Sequence, residues 1–170
     1  EAIVMTASGC GVHVKEYGQL LKSDHAYAAK AKKISALTKD ISEILLNESL
    51  SKRVSGAKPG PKVAFHSPCS LQHGQRLNGA VEKILRDAGF TLTAVPDAQL
   101  CCGSAGTYSI LQKQLSQRLL RNKVAALESG RPAAIVTANI GCLAHLQGGT
   151  TLTVRHWIEI LDADAPPLSP

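Results

Sequence analysis

The sequence predicts an α/β fold with a small parallel sheet, on three observations. Short apolar strands alternate with amphipathic helices, as they do in βαβ units. Hydrophobic residues make up 44% of the 170 residues but aromatic residues only 4%, so Leu, Ile, Val and Ala must build the core. Most of the cysteines come shortly after predicted strands, and the carboxyl ends of parallel strands meet at one edge of a sheet. We therefore expect a small core with a cysteine site at that edge.

The first fifty residues predict a strand followed by helices. Residues 1–6 form a short apolar strand that delivers Cys10 beyond its end. Across residues 14–46 the apolar positions follow helical spacing, and Asp24 is a candidate cap for the second helix. Residues 51–61 have no periodicity and predict a linker.

The rest of the chain alternates strands with helices. A long helix is predicted over 108–129, capped by Thr107 and ended by Gly130. Its inward side chains are predicted to be Leu111, Leu115, Leu119, Val124 and Leu127. The predicted strands span 62–66, 91–95, 133–138 and 151–154, and the other predicted helices span 80–88 and 156–163.

Two stretches of the chain repeat each other without a gap. Residues 3–13 (IVMTASGCGVH) align with residues 135–145 (IVTANIGCLAH) and share Ile, Val, Gly, Cys and His at matching positions. The similarity continues loosely between residues 40–45 and residues 156–161. We therefore expect a fragment of a longer polypeptide that contains part of one repeat and the whole of another. The predicted divisions are a partial repeat at 1–50, a linker at 51–61, a complete repeat at 62–164 and a tail at 165–170.

Four of the five cysteines form a pattern typical of a metal site. Cys101 and Cys102 are adjacent, with Cys69 before them and Cys142 after them. Two adjacent thiols cannot both enter an apolar core, because their side chains diverge, whereas an iron-sulfur cluster accepts both from one tight turn. A single zinc ion, a vicinal disulfide and two unrelated buried thiols are the alternatives.

The residues around these cysteines support a metal site. Gly103 and Gly106 would let the backbone come close to a cluster and direct its N–H groups at sulfur. Cys69 follows a predicted strand at the start of a helix, where the helix dipole favours a thiolate.

The cysteine pattern resembles the cysteine-rich CCG domain, which occurs in heterodisulfide reductases and in the iron-sulfur subunits of glycolate and lactate dehydrogenases. Residues 66–74 (HSPCSLQHG), 100–112 (LCCGSAGTYSILQ) and 137–147 (TANIGCLAHLQ) are similar to the family of glycolate oxidase iron-sulfur subunits. The resemblance implies one complete CCG domain of βαβ type, preceded by the tail half of a second, similar repeat. It also implies a 4Fe-4S cluster with Cys69, Cys101, Cys102 and Cys142 as ligands.

The chain departs from the family pattern at the last cysteine motif, where the family often has a Cys-x-x-Cys pair. Here Cys142 is followed by His145, and Cys10 in the partial repeat is followed by His13. The departure favours an ordinary 4Fe-4S cluster over the non-cubane form reported for heterodisulfide reductases. His145 could be an extra ligand, a hydrogen-bond donor to cluster sulfur, or a surface residue.

Four further residues near these motifs have weaker assignments. Cys10 and His13 would belong to the site of the truncated first repeat, and we expect Cys10 to be a free thiol in this chain. His66 and His73 flank Cys69, and we favour packing or support of the ligands over metal binding for both.

The resemblance implies an electron-transfer domain of a glycolate dehydrogenase complex. A flavin-containing partner subunit, which carries the FAD, would oxidise glycolate to glyoxylate, and ferredoxin-like clusters in a missing N-terminal segment would share electron transfer toward quinone. No catalytic residue is then expected on this chain. The alternatives are a zinc-binding or metal-free domain that holds such a complex together, or the equivalent subunit of a lactate dehydrogenase or heterodisulfide reductase-like complex.

Composition and motifs argue against several other classes of protein. The net charge is +6, but the basic residues are scattered and no aromatic residues interleave them, so we expect no nucleic acid partner. The Ser104 to Thr107 segment lacks the lysine and the spacing of a phosphate-binding loop. An odd number of cysteines and no long apolar run predict a cytoplasmic protein, which a complex could hold at the inner face of the membrane.

Overall fold

The computed structural model describes residues 1–47, 60–162, 164–166 and 168, and it confirms an α/β fold with parallel strands. The strands are β1 (Ile3–Met5), β2 (Thr38–Asp40), β3 (Lys62–His66), β4 (Thr91–Leu92), β5 (Ala134–Thr137) and β6 (Val154–His156). The helices are α1 (Ser8–Lys15), α2 (Tyr17–Leu20), α3 (Ala28–Leu37), α4 (Ile41–Asn47), α5 (Ala80–Asp87), α6 (Tyr108–Leu111), α7 (Lys113–Glu128) and α8 (Ile140–Gln147). A π-helical turn at Ser70–Gly74 and a 3-10 turn at Glu159–Leu161 complete the elements. Most of the predicted linker at 51–61, all but residues 60 and 61, lies outside the described residues.

The larger sheet has four parallel strands in the order β4-β3-β5-β6. The pairs Val63 with Ala134 and His66 with Thr137 set the register of its two central strands. All four residues of β5 are buried, because helices cover both faces of the sheet. The carboxyl ends of β3 and β5 therefore lie side by side.

Two apolar layers, one on each face of this sheet, form the core. Along β3, Val63 and Phe65 face a layer that includes α5 and the fully buried Trp157. Ala64 faces the opposite layer, which includes α7 and α8. Cys102 and Cys142 belong to this second layer, so two of the predicted ligands extend from the hydrophobic core.

The smaller sheet consists of β1 and β2, which pair in parallel with Ile3 opposite Thr38. Strand β2 lies in a stretch where helical spacing was predicted, so that prediction was wrong for these three residues. In both β1–β2 and β5–β6, a strand is followed by a helix with a cysteine in its first turn and then by a parallel partner strand, although α2 and α3 also lie between β1 and β2. This common arrangement is what two related repeats would produce, and the domain boundaries stay a prediction.

Hydrogen bonds join the smaller sheet to the larger one near the carboxyl ends of their strands. The Ser8 N–H donates to the Ala138 carbonyl at 3.0 Å, and the Ser8 and Ser70 hydroxyls lie 2.8 Å apart. The Gln75 amide donates to the Ser8 carbonyl and to the carboxylate of the buried Asp40. These contacts hold α1 against the turn that follows Cys69.

The long helix predicted over 108–129 is interrupted. Gln112, with φ −120° and ψ 49°, separates α6 from α7, and the Thr107 side chain forms no capping hydrogen bond. The buried positions of α7 are Ser116, Leu120, Lys123, Val124 and Leu127. Leu111 and Leu115 are 75% and 52% exposed, so their predicted inward orientation was wrong. Leu111 precedes the break at Gln112, and Leu115 is adjacent to the buried positions of α7 without being one of them.

Three smaller predictions also differ from the structure. The strand predicted over 91–95 is only two residues long, and the helix predicted over 156–163 is replaced by the end of β6 and a 3-10 turn. The Asp24 carboxylate accepts from the Ala26 and Tyr27 N–H groups, so it caps the turn before α3 rather than α3 itself. Among the described helices, none combines the length and hydrophobicity that would let it cross a membrane.

Candidate metal centre

Three separate segments bring four cysteines together beyond the carboxyl ends of the strands. Cys69 follows β3 and directly precedes the π-helical turn, whereas Cys142 lies in the first turn of α8 after β5. Cys101 and Cys102 lie in the loop between β4 and α6. Because β3, β4 and β5 are parallel neighbours, all three segments leave the same edge of the sheet.

The four thiols form one connected set. The Cys101 sulfur is in hydrogen-bond contact with the thiols of Cys69 and Cys102, and Cys102 also contacts Cys142. Cys102 is fully buried and Cys142 is 6% exposed, whereas Cys101 is half-buried and Cys69 exposed. The set therefore extends from the core to the surface. All five cysteines of the chain are free thiols.

Backbone N–H groups point at three of these sulfur atoms. The Gly103 N–H donates to Cys101 Sγ at 3.3 Å. The N–H groups of Ser70 and Ser104 donate to Cys69 and Cys102. Hydrogen bonds of this kind stabilise a thiolate more than a thiol, so they prepare the sulfur atoms for binding a cation.

In the absence of a metal, the first negative charge of the set belongs to Cys101. Hydrogen bonds from Cys102, then from Cys69 and the Gly103 N–H, hold the pKa of the Cys101 thiol well below its usual range. The same contacts with Cys101, together with burial, raise the pKa of Cys69 and of Cys102. One thiolate is therefore held among protonated neighbours, and a metal cation would have to displace their protons.

Gly103 allows the cysteine turn to approach α7 closely. Its φ is +92°, and a Cβ atom built on it would lie 2.5 Å from the Ser116 carbonyl oxygen. The buried Ser116 hydroxyl donates to the Gly103 carbonyl at 2.8 Å. His145 Nε2 lies 3.2 Å from the same hydroxyl oxygen, so His145 supports the turn through Ser116.

The remaining predicted residues lie outside the connected thiols. Cys10 is exposed, and no described contact joins it to the four sulfur atoms. The His13 ring packs edge-on against Tyr17 at 5.4 Å. The Ser104 hydroxyl donates to the Gly141 carbonyl and so ties the cysteine loop to α8.

His66 lies closer to the cysteines than the sequence suggested. One ring nitrogen of His66 and the sulfur atoms of Cys102 and Cys142 all lie within 4.8 Å of one another. Burial, and then the charge of Lys123, lowers the pKa of His66 to about 3, so its ring is neutral at pH 7. The signal in the sequence was its position at the end of a buried strand.

Lys123 holds the loop that leads into the cysteine pair. Its ammonium group donates to the carbonyl oxygens of Asp97 at 2.8 Å and Ala98 at 3.3 Å. The side chain is buried, and its charge also interacts with the sulfur atoms of Cys101 and Cys102. The positive charge of Lys123 therefore lies close to the cysteine pair, whose sulfur atoms become negatively charged when they lose their protons.

Replacing Lys123 with methionine is expected to lower the free energy of unfolding by about 1–3 kcal/mol, because two loop carbonyls lose a charged donor. Urea denaturation of the metal-free, reduced chain would measure the change. The exposed Lys113 on the same helix provides the control, since Lys113→Met should change stability by no more than about 0.5 kcal/mol. Equal stability of the two variants would contradict this role for Lys123.

Comparison with known proteins agrees with this arrangement. Residues 63–147 match the cysteine-rich domain family, CCG. Over 163 residues the chain is 57% identical to the glycolate oxidase iron-sulfur subunit of Escherichia coli (strain K12), an alignment that covers 95% of this chain and 39% of that protein. Over 172 residues it is 31% identical to lactate utilization protein A of Bacillus velezensis, covering 96% of this chain and 71% of that protein.

A third relative, the probable glycolate oxidase iron-sulfur subunit of Bacillus subtilis, is 29% identical over 150 residues, which is 88% of this chain and 34% of that protein. The chain thus spans less than half the length of the two glycolate oxidase subunits. The family match covers both the strands and the cysteine segments that build the site. The chain belongs to the family of proteins with the cysteine-rich CCG domain.

Proposed function

We propose that this chain is an electron-transfer domain that holds an iron-sulfur cluster on Cys69, Cys101, Cys102 and Cys142. The observation that supports the proposal most directly is the connected set of four thiols with backbone N–H donors on three of them. Cysteine thiolates are the usual ligands of such clusters, and hydrogen bonds to their sulfur tune the reduction potential. The four cysteine sulfur atoms and the N–H groups around them therefore fit an iron-sulfur cluster, which the names of the two glycolate oxidase relatives imply.

The four thiols extend from the core to the surface, which suits electron transfer. When bound, the cluster would accept and release one electron at a time. Cys102 and Cys142 lie in the apolar layer against α7 and α8, which keeps water away from that side. Cys69 is exposed, so a partner's redox centre could approach from its side.

The named relatives support a finer proposal about the complex. We expect a glycolate dehydrogenase assembly in which a flavin subunit, carrying FAD, oxidises glycolate to glyoxylate and this domain passes electrons toward quinone. Ferredoxin-like clusters on a preceding segment of the same polypeptide would share that transfer. Identity of 57% to a glycolate oxidase subunit, against 31% to a lactate utilization protein, favours glycolate over lactate. We place this complex in the cytoplasm, against the inner face of the membrane.

A zinc-binding interaction domain is the second candidate. The group of His66, Cys102 and Cys142 has ligand atoms within 4.8 Å of one another, which is compact enough for a single ion. Zinc takes sulfur and nitrogen ligands in tetrahedral sites and has no redox chemistry. The domain would then hold the subunits of a complex together without carrying electrons.

Metal analysis of the anaerobically purified chain separates the two candidates. We expect about four iron and four sulfide per chain, brown colour, and an EPR signal after reduction. Stoichiometric zinc without sulfide would favour the interaction domain. Failure to bind either metal, even after anaerobic reconstitution with iron and sulfide, would contradict both proposals.

A further inference from the structure

His66 has a buried ring nitrogen without a partner beside the cysteines. The residue ends β3 and is 2% exposed, and one of its ring nitrogens lies within 4.8 Å of the sulfur atoms of Cys102 and Cys142. Its Nδ1 lies 2.9 Å from the Thr137 hydroxyl oxygen, whereas its Nε2 has no hydrogen-bond partner. A buried polar atom left unpaired costs free energy, so such atoms are rare in folded proteins.

The contacts of Thr137 fix which nitrogen carries the proton. The Thr137 hydroxyl donates to the His66 backbone carbonyl at 3.0 Å, and this uses its only hydrogen. The contact of that oxygen with Nδ1 must therefore be a hydrogen bond donated by the ring. Nε2 is then the unprotonated nitrogen, with its lone pair free.

We propose that His66 binds the metal of this site through Nε2, on the buried side that it shares with Cys102 and Cys142. The inference rests on the proposed function in one respect, namely that the site holds a metal. It also changes the ligand set proposed above. An ordinary 4Fe-4S cluster takes one protein ligand on each of its four irons, so His66 takes the place of one of the two less buried cysteines, Cys69 and Cys101, and the site becomes a mixed sulfur and nitrogen centre.

Metal binding itself strengthens the case for His66. A metal binds thiolates, so Cys102 and Cys142 lose their protons when it enters. Neither thiolate can then donate a hydrogen bond to Nε2, so the metal is the partner that satisfies the lone pair. The hydrogen bond from Nδ1 to Thr137 has the form seen in metal-binding histidines, where it fixes ring orientation and tautomer.

Pulsed EPR on the reduced, iron-loaded chain tests the proposal directly. The protein is prepared once with ordinary histidine and once with 15N-labelled histidine. We expect a strongly coupled 14N signal that changes to 15N on labelling, because a ligating nitrogen carries spin density from the cluster. Iron bound without any histidine coupling would overturn the ligand assignment while leaving the proposed electron-transfer function intact.

Three variants assign the nitrogen to one residue. The coupling should vanish in His66→Gln. It should persist in His73→Gln, which changes an exposed residue, and in His145→Gln, which removes the ring that contacts the Ser116 hydroxyl. Persistence in His66→Gln, or loss in His145→Gln, would overturn the proposal. If His66→Gln does not fold, the assignment is made by elimination: the coupling should persist in His73→Gln, in His145→Gln and in the Gln variants of His13, His25 and His156, and its loss in any of these would overturn the proposal.

A chain that binds zinc instead of iron is tested by X-ray absorption at the zinc edge. The proposed function then fails, whereas the His66 inference is still open to test. A shell of nitrogen at about 2.0–2.1 Å beside sulfur at about 2.3 Å, lost in His66→Gln, would support it. A shell of sulfur alone would overturn it.

Discussion

A Cys102→Ser variant is expected to lose its iron and sulfide, from about four of each per chain to less than one of each. Cys102 is fully buried and is the member of the thiol set that contacts both Cys101 and Cys142. A serine hydroxyl at this position is a poor ligand for iron, and Cys102 lies fully buried in an apolar layer that offers no other donor in its place. Iron and sulfide analysis of anaerobically reconstituted protein would measure the loss.

The matched control is Cys10→Ser. Cys10 is exposed and has no contact with the four thiols, so this variant should bind as much iron as the unmodified chain. Circular dichroism of both variants should be unchanged, because each substitution is nearly isosteric. Full iron content in Cys102→Ser would contradict the proposed ligand set, and loss of iron in Cys10→Ser would mean that the N-terminal segment around Cys10 takes part in the same site.

The general position of the site was predictable because β3 and β5 are short and each has a buried apolar centre. Each strand has a cysteine within a few residues of its carboxyl end, and the parallel geometry brings the ends together. The adjacent Cys101 and Cys102 added a pattern that a core alone does not explain. Strand order and chain direction are therefore enough to predict that the cysteines meet.

The parts that were missed depend on contacts between segments distant in the sequence. Strand β2 is three residues long, and its partner is β1, more than thirty residues earlier, so helical spacing around it dominated the prediction. The break at Gln112 leaves no clear mark in a continuous helical pattern. For His66 the sequence favoured packing or support of the ligands, and its unpaired nitrogen is evident only once Thr137 is placed beside it.

Replacing Gly103 with alanine is expected to lower the free energy of unfolding by about 2–5 kcal/mol, which is a large part of the stability of an ordinary domain. Two costs add at this position. Its φ of +92° strains any residue that has a Cβ atom, and the added methyl group would lie 2.5 Å from the Ser116 carbonyl oxygen and 3.1 Å from Leu119 Cβ. Because backbone atoms of α7 cannot yield easily, the cysteine turn must move instead.

Gly106 is the matched control in the same loop. Its φ is +58°, but a Cβ atom there would have no neighbour within 4 Å, so Gly106→Ala should cost only about 1–2 kcal/mol. Urea denaturation of the metal-free, reduced chains measures both changes, and iron uptake should be impaired in Gly103→Ala alone, because only that substitution displaces Cys101 and Cys102. Equal losses of stability in the two variants would mean that backbone strain, and not the close approach to α7, makes glycine necessary at position 103.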